Sequence, residues 1–177
     1  MTQQNISTES NPQIYVACLA AYNNGHLHGL WIDATEDILD IYAQINNMLS
    51  TSPIEDAEEY AIHDYEGFYG LSISEYAGVN YAHERAVFIQ QFGALGVEVL
   101  NYYQDIESTT TALMEQYAGC YPSLADYAQD FTEESSDIPD CIKYYIDYEK
   151  MANDWEMSGD IVSFEMAHNE VHVFYSH

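Results

Sequence analysis

Apolar residues along the chain follow two different periods, and the changes from one to the other mark its elements. Residues 14–20, IYVACLA, form a β-branched and apolar run, and HLHGLWID (26–33) follows after the turn-forming Tyr22, Asn23, Asn24 and Gly25. Two strands joined by such a turn predict a β-hairpin. Thr35 then offers a helix cap with Glu36 and Asp37 behind it, and Ile38, Ile41, Tyr42, Ile45 and Leu49 recur at the spacing that buries one helical face. Ser50, Thr51, Ser52 and Pro53 end that helix. After Glu55, Asp56, Glu58 and Glu59 comes YAIHDYEGF (60–68), which reads as a third strand beside the hairpin.

From Ser72 the pattern predicts helix: SISEYAG, then NYAHERAVFIQQFG closing on Gly93, then VEVLNYYQDI, then STTTALMEQYAG closing on Gly119. In 123–149, Leu124, Tyr127, Ala128 and Phe131 recur at i, i+3, i+4 and i+7, while Asp126, Asp130 and Glu133 or Glu134 keep the same period on another face. Ser123 caps this helix, and Ile138, Pro139 and Asp140 mark a turn into a second, tyrosine-rich helix from about Cys141. MSGDIVSFEM (157–166) and VHVFYS (171–176) flank Ala167, His168, Asn169 and Glu170 as a terminal hairpin. The class is α+β, with small antiparallel sheets at both ends and a mostly helical middle. The expected division is a loose tail over 1–12, an N-terminal α+β domain over 13–70, a helical middle over 71–116 and a C-terminal α+β domain over 117–177.

Charge changes this picture. The 177 residues are 47% hydrophobic and 14% aromatic, enough for real cores, yet 30 Asp and Glu stand against three cations, Arg85, Lys143 and Lys150, for a formal charge of -27. Self-repulsion on that scale destabilises a compact state and asks for a reason. It excludes direct binding to nucleic acid, whose affinity rests on Lys and Arg, and argues against anionic membranes. The expected partner is a strongly basic protein surface.

The acids are densest in 123–149, where Asp126, Asp130, Glu133, Glu134, Asp137, Asp140, Asp147 and Glu149 face Lys143 alone. Like charges at i and i+4 cost a helix roughly 0.2–0.5 kcal/mol each, so stability alone does not select the pattern. One carboxylate per helical turn recurs about every 6 Å, within a factor of two of the per-strand phosphate spacing of DNA. Two explanations compete: an acidic binding face, or adaptation of an ordinary globular protein to high salt.

Other chemistry has weaker support. Glu58, Glu59, His63, Asp64 and Glu66 contain the residue types of a carboxylate or metal hydrolase, with His63, Asp64 and Glu66 as its reactive group, and His26 and His28 have the spacing of two metal ligands on one strand. With no third defined ligand, no phosphate loop and no nucleophile motif, these read as a chance cluster and a solvated hairpin. No enzyme, cofactor or metal is expected. Cys18, Cys120 and Cys141 make no C-x-x-C pair and read as core thiols of a reducing cytosol. Residues 1–12 have neither the basic nor the apolar region of a signal peptide, and no run spans a bilayer, so a cytoplasmic protein is expected. Tyr144, Tyr145 and Tyr148, beside the acidic run, are candidates for contact with a partner or a second subunit.

Several stretches together resemble the ArdA-type antirestriction proteins: IYVACLAAYNNGHLHGLW (14–31), EEYAIHDYEGF (58–68), SLADYAQDFTEE (123–134), YYIDYEKMANDWEMSGD (144–160) and VHVFYS (171–176). The likeness runs in order from about residue 13 to the C-terminus. Tyr69 stands where relatives often have Pro, and Asn153 where an Arg before Asp is common, which removes a cation. The resemblance implies an elongated, curved homodimer of three-segment chains, joined through the C-terminal segment. It also implies mimicry of duplex DNA, inhibition of type I restriction–modification enzymes by filling their DNA channel, and carriage on mobile genetic elements. On that reading the mimic surface comprises Glu55, Asp56, Glu58, Glu59, Asp64, Glu66, Asp105, Glu107, Glu115, Asp126, Asp130, Glu133, Glu134, Asp137, Asp140, Asp147, Glu149, Asp154 and Glu156. A charge of -27 matches roughly 46 Å of duplex at one charge per 1.7 Å, and a dimer about twice that.

Overall fold

The computed structural model describes residues 11–176. The tail expected over 1–12 lies, except for its last two residues, outside them. Two compact units divide the chain, the first ending at Val97 and the second beginning at Glu98. The fold is α+β, with one small antiparallel sheet toward each end and helices between.

In the first unit, β1 (Gln13–Cys18) is the central strand, flanked antiparallel by β2 (Gly29–Asp33) and β3 (Tyr60–Glu66). Ile14 and Val16 are buried completely, Val16 pairing with Leu30 on one side and Ile62 on the other. The apolar run does not stay extended to residue 20: Leu19–Asn23 form a one-turn helix, α1, whose first free N–H groups are met by the Cys18 sulfur on Ala21. The hairpin turn is therefore a short helix plus a loop, and His26 and His28 fall ahead of β2 rather than on it. His28 spends its Nε2 on the Met48 carbonyl, 2.7 Å away.

The helix α2 (Ile38–Ser50) begins two residues later than expected. Thr35 gives both its N–H and its hydroxyl to Asp33, so Asp37 becomes the cap, accepting from the Leu39 N–H at 2.8 Å. Ile41, Ile45 and Met48 are its buried face, which lies against β1 and β2. The SISEYAG stretch is not helical. Ser74 accepts the Tyr76 N–H with its hydroxyl and the Ala77 N–H with its carbonyl, a local turn that competes with helix. The long helix α3 (Val79–Tyr103) follows, and Gly93 breaks it at φ 60° and ψ -153° instead of ending it.

In the second unit Asp105 caps α4 (Ile106–Thr111), which passes through a π-helical turn (Ala112–Gln116) into β4 (Tyr117–Tyr121). Gly119 thus sits in a strand and does not stop a helix. At φ 141°, with the Tyr121 ring 3.1 Å from where a Cβ would stand, it lets β4 shift register against β6 (Glu170–Tyr175). β5 (Ile161–Ala167) pairs with the other edge of β6, completing the order β4-β6-β5 and the expected terminal hairpin.

Between β4 and β5 run α5 (Leu124–Ser135), the single turn α6 (Asp140–Lys143) and α7 (Tyr148–Ser158). The tyrosine-rich helix expected from Cys141 is therefore split, its main part starting where Asp147 accepts the Lys150 N–H at 2.9 Å. Tyr127, Ile161, Val171 and Val173 form a buried cluster, with Tyr121, Leu124 and Trp155 against it. The cysteines correct another expectation: Cys18 is buried, but Cys120 and Cys141 are exposed, and all three are free thiols.

Gly93 lies in a backbone region that is essentially closed to other residues, although nothing stands within 4 Å of its missing Cβ. Gly93→Ala should lower unfolding free energy by about 1–3 kcal/mol through backbone strain alone, read by denaturant unfolding monitored by circular dichroism.

Candidate acidic binding surface

Helix α5 shows how the fold sorts its side chains. Tyr127 and Ala128 are buried and Leu124 is half-buried, while Asp126, Asp130, Glu133 and Glu134 are exposed on the other side of the helix. Ser123 fixes the start: its Oγ accepts the Asp126 N–H at 3.2 Å and donates back to the Asp126 carboxylate. Phe131, expected in the buried stripe, is 40% exposed; it meets Trp155 of α7 edge to face, with centroids 5.5 Å apart.

Helix α7 repeats the pattern. Tyr148, Met151, Ala152 and Trp155 turn inward at helical spacing, and Glu149, Asp154 and Glu156 outward. The seam between α5 and α7 is held by the Tyr127–Trp155 and Phe131–Trp155 ring contacts and by the Thr132 hydroxyl, 3.3 Å from the Met151 sulfur. One packed pair of helices thus carries seven of the carboxylates named from the sequence. Burial foremost, with the charge of Asp130 and Glu134 adding to it, holds the Tyr121 phenol above its ordinary pKa.

The remaining named acids are also exposed, on several kinds of backbone. Glu55, Asp56, Glu58 and Glu59 lie in the loop between α2 and β3, and Asp64 and Glu66 on β3. Asp105 and Glu107 stand at the start of α4, where the Ser108 N–H holds the Asp105 carboxyl below its ordinary pKa, and Glu115 in the π-helical turn. Asp137 precedes α6, Asp140 opens it, and Asp147 caps α7. Exposure extends to acids outside that set: Glu36, Asp37, Asp40, Glu75, Glu84, Glu98, Asp160, Glu165 and Glu170. Tyr144 and Tyr145 are 95% and 85% exposed, whereas the Tyr148 hydroxyl is buried without a hydrogen-bond partner among the described residues.

Asp33 is the exception to exposure. Half-buried, it accepts hydrogen bonds from Asn11 Nδ2 at 2.7 Å and from the Thr35 N–H and hydroxyl at 2.8 and 2.6 Å. Burial is the largest single influence and raises its pKa, but the three hydrogen bonds together outweigh it and the net shift is downward.

Cations do little to neutralise this surface. Arg85 lies against Glu84 at 3.3 Å and over the Tyr81 ring, and neither Lys143 nor Lys150 has an ion pair among the described residues. His63 stands 3.8 Å from Glu75 and not with Asp64 and Glu66 as a reactive group. No group of three or more His, Cys, Asp and Glu among the described residues is arranged to hold a metal ion.

The fold and this surface define a small acidic α+β protein whose carboxylates are displayed outward on helices, strands and loops. The chain belongs to the ArdA family of antirestriction proteins, whose family model matches residues 14–170. No curated protein compared with it matches. Membership makes it an inhibitor of restriction, acting on restriction enzymes. No helix among the described residues is long and apolar enough to cross a membrane.

Two outcomes follow. Because the folded pKa of Asp33 is depressed, its hydrogen bonds contribute stability fully above the ordinary value of 3.8, and that stability is lost as pH falls through the lower folded value. Asp33→Asn should therefore cost about 1–3 kcal/mol at pH 7, with the gap to wild type closing below about pH 4 in unfolding curves taken across pH. Glu133 and Glu134 sit in the last turn of α5, at the negative end of its dipole. Replacing both with Gln should raise stability by about 0.5–1 kcal/mol while weakening inhibition of a restriction enzyme, as read by thermal unfolding and by DNA cleavage.

Proposed function

We propose that this protein inhibits type I restriction–modification enzymes by occupying their DNA-binding channel, its carboxylates standing where DNA phosphates would stand. It acts in the cytoplasm as a homodimer, catalyses nothing and binds no nucleic acid. The observation that carries this reading is the exposure of every described Asp and Glu except Asp33, with almost no cation to balance them.

The physics is that of counterion release. Lys and Arg lining a DNA channel bind phosphates chiefly through charge, with release of condensed ions, and carboxylates held on folded helices and strands offer the same exchange. Side chains already displayed by α5 and α7 need little ordering on binding, which favours the bound state. Together with an ArdA match over most of the chain, the charge density makes a DNA channel the best-matched basic surface.

A salt series separates this reading from salt adaptation. The protein should stay folded by circular dichroism in dilute buffer, compete with duplex DNA for a purified type I enzyme, and lose about tenfold or more in inhibitory potency between 50 and 200 mM salt. Unfolding at low salt, or inhibition that excess DNA does not relieve, would count against it.

A further inference from the structure

The second unit holds a cleft of about 510 Å³ beside the free edge of β5, lined among others by Tyr102, Tyr103, Glu156, Ser163, Phe164 and Ser176. We infer that it receives an arginine side chain of the basic protein to which the acidic surface binds; the inference rests on the function proposed above and deepens it. The lining has the features that select a guanidinium. Tyr102 meets both Tyr103 and Phe164 edge to face, at 5.0 and 5.8 Å between centroids, and remains 57% exposed, so ring surface is left for a ligand. Glu156 accepts the Ser163 hydroxyl on Oε1, and its second oxygen takes no hydrogen bond among the described residues. Ser176 also borders the cleft, its hydroxyl buried without a partner among those residues.

The chain holds its own arginine in the same chemical company. The Arg85 guanidinium carbon lies 3.2 Å from the Tyr81 ring centroid, and its Nη1 is 3.3 Å from the Glu84 carboxylate. A phenol ring and a carboxylate are the pair that the cleft presents, and Glu156 has no ion pair among the described residues. A planar guanidinium stacks on such a ring and donates to carboxylate and hydroxyl together, whereas a lysine ammonium is a compact point charge better suited to the open acidic face.

The test uses N-acetyl-arginine amide as the probe, titrated into the full-length protein by NMR, with the neutral citrulline analogue and N-acetyl-lysine amide alongside. Saturable shifts centred on Tyr102, Tyr103, Phe164 and Ser163 are expected, at least threefold weaker for the lysine probe and absent for citrulline. Tyr102→Ala and, as an isosteric second variant, Glu156→Gln should each weaken the arginine probe at least threefold and raise the concentration needed for half-inhibition of the restriction enzyme. Equal responses to arginine and lysine, or shifts spread over all carboxylates, would overturn the inference while the function proposed above stood. Probe binding in the cleft with no inhibition by wild type would uphold the arginine site and remove that function. Probe binding with unchanged inhibition by both variants would remove the arginine contact from the complex.

Discussion

Uncompensated negative charge is the constraint under which this fold is built. With so few cations, carboxylates cannot be balanced by salt bridges, and the structure balances many of them with backbone instead. Asp37, Asp105 and Asp147 cap helices through their side chains, and Asp40, Glu107, Asp126, Asp140 and Glu149 stand in first turns. Unpaired N–H groups and the positive end of the helix dipole favour an acid there by about 0.3–1 kcal/mol. That is of the same size as the 0.2–0.5 kcal/mol lost to each like-charged i,i+4 pair such as Asp126 and Asp130. Helix starts therefore offset much of the local repulsion without lowering the net charge. The last turn of α5 has no such relief, and Glu133 and Glu134 remain there.

Long-range repulsion has to be met by packing. Each unit does so with a three-stranded sheet and a set of buried apolar side chains. Phe174, fully buried on β6, is one of many, and each such side chain contributes about 1.5–3 kcal/mol. In the second unit the aromatic contacts among Tyr121, Tyr127, Phe131 and Trp155 do two jobs. They close the core over the sheet, and they clamp α5 to α7, so the carboxylates on the outer faces are held by elements that cannot easily rotate away from one another. Display of charge and burial of aromatic area are two faces of the same helices.

Strand and helix periods were readable where side-chain burial follows sequence spacing. β1, β3, β5 and β6, the buried face of α2, and the Ser123 cap with its acid stripe all stand close to where the periodicity put them. The failures share a cause. Thr35, Ser74 and Gly119 each carry a local signal with more than one use, and a neighbour chose between the uses. Asp33 took Thr35, leaving Asp37 to cap; Ser74 closed a turn on its own backbone; β6 drew Gly119 into a strand. Helix propensity around 117–119 yielded to pairing with a strand some fifty residues away, which no local window contains. Cys120 and Cys141 were misplaced for a similar reason, since exposure depends on which face the pairing and the split of α6 from α7 present to solvent.

What the sequence settled by itself was the charge balance, the α+β alternation and the kinship with antirestriction proteins, because each is a property of residue identity and order. Tertiary structure decided how each carboxylate is solvated. Asp33 is indistinguishable from Asp37 or Asp40 as a letter. The approach of Asn11 and Thr35 half-buries it among three hydrogen bonds, while Asp37 caps a helix and Asp40 stands in its first turn, both exposed. Contacts between residues distant along the chain set that solvation, and no local window of sequence contains them.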